Sequence, residues 1–115
     1  MDKIIKEVEN LCLSMHTFKE HLEDNLQLPI VGEKLRYFAA EIERIIAIEP
    51  VCTSYLQKLT IEEYRPILVM RLEQAKGRLE SLNKNHTIYE IIDELSDISS
   101  SVQETASTVQ WYTAD

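Results

Sequence analysis

Residues 15–24 of this 115-residue chain read MHTFKEHLED, placing two imidazoles, an ammonium and three carboxylates within ten positions. Two chemistries use such groups. A histidine can accept a phosphoryl group while a nearby lysine steadies the anion, or paired imidazoles can hold a metal ion. Spacing limits the second. His16 and His21 are five residues apart, about 140° around a helix, so they cannot reach one ion. An i, i+4 pair would have shared a face.

The run His16 to Glu20, HTFKE, resembles the HxxKG signature of histidine phosphotransfer domains, and VGEKLRYFAAEIERI at residues 31–45 is similar to the stretch downstream of that signature. The resemblance implies a small helical bundle with an exposed His16 that takes phosphate from an aspartyl phosphate beside Lys19. Glu20 stands where that family has glycine, adding bulk and negative charge where a receiver's acidic pocket would approach.

A third candidate is EIIDELSDI, residues 90–98. Glu90 with Asp93, and Glu94 with Asp97, match the ExxD pair that holds magnesium in all-α nucleoside triphosphate pyrophosphohydrolases. Carboxylates at i and i+3 share a helix face and suit a hard cation. That family sets ExxE on a facing helix, and Glu20 with Glu23 is the ExxE available here. A helical wheel turns Glu90, Glu94, Asp97 and Glu104 away from Ile91, Leu95, Ile98 and Val102, toward solvent rather than a cleft. No GxSxG, phosphate loop or Cys/His nucleophile pair occurs.

The elements that position these groups are helical. Two glycines and three prolines are too few for open sheets or glycine-rich loops. Ile4, Val8, Leu11, Met15, Phe18 and Leu22 step by helical intervals, with Ile5, Cys12 and Leu26 beside them, which predicts a helix over residues 2–26. Pro29 ends it. Val31, Leu35, Phe38, Ile42 and Ile45 form the next stripe, and Cys52, Leu56 and Leu59 continue its phase past Pro50. The second helix is therefore expected to be kinked or split at Pro50. Thr60 with Glu63 reads as a capping box opening a helix through Ile61, Tyr64, Leu68, Leu72, Ala75, Leu79 and Leu82, with Pro66 near its start. Thr87 with Glu90 is a second box, opening a helix that buries Ile88, Ile91, Leu95, Ile98, Val102 and Val109.

Four amphipathic segments on short turns predict an all-α, up-down-up-down four-helix bundle, a single domain over residues 1–115. Cys12 and Cys52 both fall on apolar columns and are expected to be buried, reduced thiols. The charged opening MDKIIKEVEN lacks a signal peptide's apolar centre, and no apolar run is longer than that of ILVM at residues 67–70, so a cytoplasmic protein off the membrane is expected.

Charge supplies the functional expectation. The net charge is −8, which opposes nucleic acid as a partner. Residues 85–115 hold six acids and no Lys or Arg. Arg65, Arg71, Lys76 and Arg78 on the third helix are positioned to screen part of this excess. What remains points to a non-enzymatic binding protein, such as a regulator, immunity protein or antitoxin. It would present Glu90, Asp93, Glu94 and Asp97 to a basic protein surface, without cofactor or metal. Tyr37, Ile48, Val51 and Tyr55 share one side of the second stripe and would either widen the core or form the self-association face of a homodimer.

Overall fold

The structure, a computed structural model, describes residues 1–25, 28–82 and 85–114. Helix α1 is Asp2–Asn25, with Asp2 in its first turn where the helix dipole favours negative charge. The stripe expected from the sequence is its buried side, from Ile4 through Leu22, with Ile5 and Cys12 beside it. Leu26 lies outside the described residues. Helix α2 is Leu28–Ile46. It carries Pro29 in its first turn, where a missing N–H breaks no helical hydrogen bond. Val31, Leu35, Phe38, Ile42 and Ile45 are buried along it.

Pro50 divides the chain rather than kinking a helix. Residues 47–54 are non-helical, and α3 runs from Tyr55 to Ser81. Ser54 is its N-cap, accepting from Gln57 N at 3.1 Å, while Gln57 Oε1 accepts from Thr53 N at 2.6 Å. The expected capping box at Thr60 is corrected by this. Thr60 lies inside α3, and its hydroxyl donates back to the Leu56 carbonyl at 3.0 Å.

The break also cancels the carried-over phase. Once α3 is oriented by Ile61, Leu68, Leu72, Ala75 and Leu79, Leu56 and Leu59 fall on its opposite side and are exposed. Cys52, in the connection, is exposed too, contrary to the expectation of two buried thiols. Tyr64 and Leu82 are half-buried against the core rather than within it.

Helix α4 is Ile88–Thr113 and opens on the predicted box: Thr87 Oγ1 accepts from Glu90 N, and the Glu90 carboxylate accepts from Thr87 N. Each helix packs on the two beside it in a closed square, α1 on α2, α2 on α3, α3 on α4 and α4 on α1. Contacts at opposite ends of the seams show consecutive helices to be antiparallel. Glu7 meets Arg44 at one end of the α1–α2 seam, and Phe18 packs edge-to-face on Phe38, 5.8 Å away, toward the other. The long dimension is 49 Å.

One core fills the square, with Val8, Cys12, Ile42, Leu68 and Val109 fully shielded from solvent. Removing the valine, leucine and isoleucine side chains among these from water contributes about 1.5–3 kcal/mol each. Among the described residues, no buried side-chain nitrogen or oxygen lacks a hydrogen-bond partner. No helix among them is long and apolar enough to cross a membrane.

Candidate protein-binding surface

The acidic residues singled out from the sequence lie on the first three turns of α4, beyond the Thr87 cap. They are not equivalent once the bundle forms. Glu90 completes the capping box, and the Thr87 N–H holds its carboxyl below the ordinary glutamate value. Glu94 turns toward α3 and accepts from Arg78 Nε at 2.6 Å. Asp93 and Asp97 are exposed. Asp97 adds its field to that of Glu94 on the Arg78 guanidinium without bonding it.

Arg78, His86, Glu90, Asp93 and Glu94 border an open cleft of about 900 Å³ between the end of α3 and the start of α4. Gly77 also lines it, and a Cβ there would point into open space.

Of the four cations expected to screen α4, Arg78 is the one that meets an acid there. Arg65 instead donates to the carbonyls of Ile46 and Ile48, both at 3.0 Å, closing the C-terminal end of α2. Lys76 pairs with Glu43 of α2 and, at 3.4 Å, with Glu80. Arg71 donates to the Thr105 hydroxyl and to Gln74. The reason is geometric: Arg65 and Lys76 lie on the α2 side of α3, and Arg71 and Arg78 on the α4 side.

The α3–α4 register is set by three contacts. Tyr64 stacks on Tyr112 with ring centroids 4.6 Å apart, Arg71 meets Thr105, and Arg78 meets Glu94. Glu90, Asp97, Glu104 and Trp111 recur every seven residues on α4 and are all exposed, making one outer stripe that is acidic at its start and aromatic at its end.

The other sequence candidates are dispersed. His16 is exposed on α1 with its Nε2 3.0 Å from Glu20 Oε1, so a carboxylate engages one ring nitrogen, and Lys19 is half-buried. His21 is exposed on the same helix. Among the described residues no three His, Cys, Asp or Glu side chains gather closely enough to hold a metal ion. Tyr37, Val51 and Tyr55 are exposed, whereas Ile48 packs on the core.

Sequence reasoning missed the outer face of α3, where Leu56, Leu59, Ile67 and Met70 are exposed. Their helical spacing is the available signal, hidden because Leu56 and Leu59 also continue the phase of the preceding stripe. Compared with protein-family models, curated proteins and solved structures, the chain shows no match.

Proposed function

We propose that the bundle is a non-enzymatic protein-binding module, of the regulator, immunity-protein or antitoxin kind, that presents the first half of α4 to a basic partner. The observation that carries this reading is the charge left after folding. Of the acids in residues 85–115, Glu94 alone forms an ion pair with a Lys or Arg among the described residues. Asp93 and Asp97 remain exposed with their charge available, and Glu90, also exposed, adds to the potential at the start of α4, whereas the charge of Glu94 is offset by Arg78. Carboxylates fixed on a packed helix offer that potential at little ordering cost, which favours fast, salt-sensitive association.

The test is capture from native lysate by the wild-type chain and by an Asp93→Lys, Asp97→Lys double variant, at low and raised salt. The expected result is a partner held by the wild type, released by salt, and bound several-fold more weakly by the variant, mainly through slower association. Both positions point away from the core, so the variant's unfolding midpoint stays near that of the wild type. A partner held with equal affinity and equal salt dependence by both proteins overturns the reading.

A further inference from the structure

The first half of α3 carries large apolar side chains on its outer side, around the exposed Glu63, and they stay exposed among the described residues. Leu56 is 76% exposed, Ile67 43% and Met70 57%, and across the seam Trp111 of α4 is 80% exposed. Large side chains on two adjacent helices, all left in water at one end, mark a contact surface rather than scattered surface leucines.

The α3–α4 register places this apolar end in line with the acidic end. Tyr64 stands level with Tyr112 and Arg71 with Thr105, so Ile67 and Met70 lie level with the last turns of α4, the end that carries Trp111. Arg78 stands level with Glu94, so Asp97 and Asp93 lie farther along the same seam. From Trp111 to Asp93 is eighteen residues of α4, roughly 27 Å. Between the two ends Arg71 and Gln74 line the α3 side, with Arg71 bonded across to Thr105, while on α4 the short side chains of Ser101 and Thr108 are four and three residues from Thr105 on the same face. The outer groove between the two packed helices is thus a trough with an apolar end and an acidic end.

We infer that this trough seats one amphipathic helix of a partner protein, whose apolar half lies over Ile67, Met70 and Trp111 and whose basic half lies over Asp97 and Asp93. The inference rests on the acidic-face reading and adds the partner's form. Charge decides the occupant. A second copy of this chain also carries −8, and its own trough would set acid against acid or acid against leucine. A basic, half-apolar helix satisfies both ends at once, with apolar anchors supplying affinity and charge supplying register.

The probes are three synthetic helical peptides of about 20 residues, roughly 30 Å long, without tryptophan. One segregates leucines and lysines into separate halves, one interleaves the same residues, and one replaces the leucines by alanine. Trp111 is the chain's only tryptophan, so its emission reports covering of the apolar end directly.

The segregated peptide is expected to shift Trp111 emission to the blue and to bind at least about tenfold tighter than the other two, with Ile67→Asp and Met70→Ser each removing most of that advantage. Equal binding of segregated and interleaved peptides overturns the inference. So does segregated-peptide binding that survives Ile67→Asp and Met70→Ser but is lost in Asp93→Lys, Asp97→Lys. That second result leaves the acidic-face reading standing. Binding lost in the apolar variants and kept in the charge variant removes the acidic-face reading, and the two-ended trough with it. Sedimentation of the chain alone is expected to show a monomer. A dimer dissolved by Ile67→Asp would assign the trough to a second copy and overturn the proposal.

Discussion

The guanidinium of Arg65 reaches from α3 to the carbonyl oxygen of Ile46 at 3.0 Å, and the same nitrogen donates to Ile48 at 3.0 Å. One side chain therefore satisfies acceptors that the end of α2 leaves open, and pins the start of the 47–54 connection to the next helix. Both bonds are partly shielded and charge-assisted. Arg65→Met keeps the stem's packing and removes the donors, so it is expected to lower stability by about 1–3 kcal/mol in urea unfolding. Lys58→Met is the control. Its contact with Glu62 is 4.0 Å long and exposed, and its loss should cost less than about 0.5 kcal/mol.

The helix caps separate three hydroxyl residues that look alike in sequence. Ser54→Ala and Thr87→Ala each strip the acceptor from a helix N-terminus and are expected to cost about 1 kcal/mol. Thr60→Ala removes only a back-bond to Leu56 within α3, and alanine is the better helix former, so its effect should be near zero or slightly stabilising. Unfolding midpoints of the three variants measure the order. A Thr60 variant as damaged as the other two would return the start of α3 to Thr60.

The two thiols should behave as opposites. Cys52 is exposed, whereas burial raises the Cys12 thiol from its ordinary 9.0 to about 11, against a weaker opposing contribution from the Ser99 side chain. Alkylation of the native chain at pH 8 is expected to label Cys52 within minutes and Cys12 only on unfolding, as read by peptide mass. Because the folded state holds the Cys12 proton more tightly than the unfolded chain, its contribution is intact below pH 9 and is lost as the pH rises toward 11. The loss amounts to no more than about 2–3 kcal/mol. Cys12→Ala should flatten that alkaline fall.

Ile42 and Leu72 occupy central positions on α2 and α3 and are almost fully shielded. Truncating either to alanine removes packed methylenes and leaves a cavity, at an expected cost of about 2–5 kcal/mol each. Met70→Ala, on the outer face of the same helix as Leu72, should change stability by less than about 0.5 kcal/mol. Equal losses at Leu72 and Met70 would mean that α3 is rotated from the orientation described.

Where the apolar spacing is unbroken, as along α1 from Ile4 to Leu22 and along α4 from Ile88 to Val109, the buried side is legible because one face carries a continuous row of large apolar residues, and Leu13 and Tyr89 on the other side stand alone. It failed where two faces competed. α3 has leucines on both sides, so periodicity alone does not say which side meets the core, and continuing the α2 phase past Pro50 selected the wrong leucines. The capping signature was ambiguous in the same region, since Ser54 with Gln57 and Thr60 with Glu63 both satisfy it. At the acidic surface, the outward positions of Asp93 and Asp97 are dictated by helical geometry. The capture of Glu94 by Arg78 depends on the register between two helices, which no local pattern encodes.

The closed order of seams, α1 to α2 to α3 to α4 and back to α1, has a consequence for how the chain can be rewired. Met1 and Thr113 border one cleft together with Pro50 and Gln57, so the first and last turns meet at the same pole as the 47–54 connection. The path is a ring of four rods cut at one point, and the location of the cut is not what holds the rods together. Joining the two ends through a short glycine-serine linker and reopening the ring beside Cys52 would turn the order into α3, α4, α1, α2 while leaving every packed seam in place. In that permutant the Arg65 contacts to Ile46 and Ile48 would join the opposite extremes of the polypeptide, changing a local tie into its longest-range one.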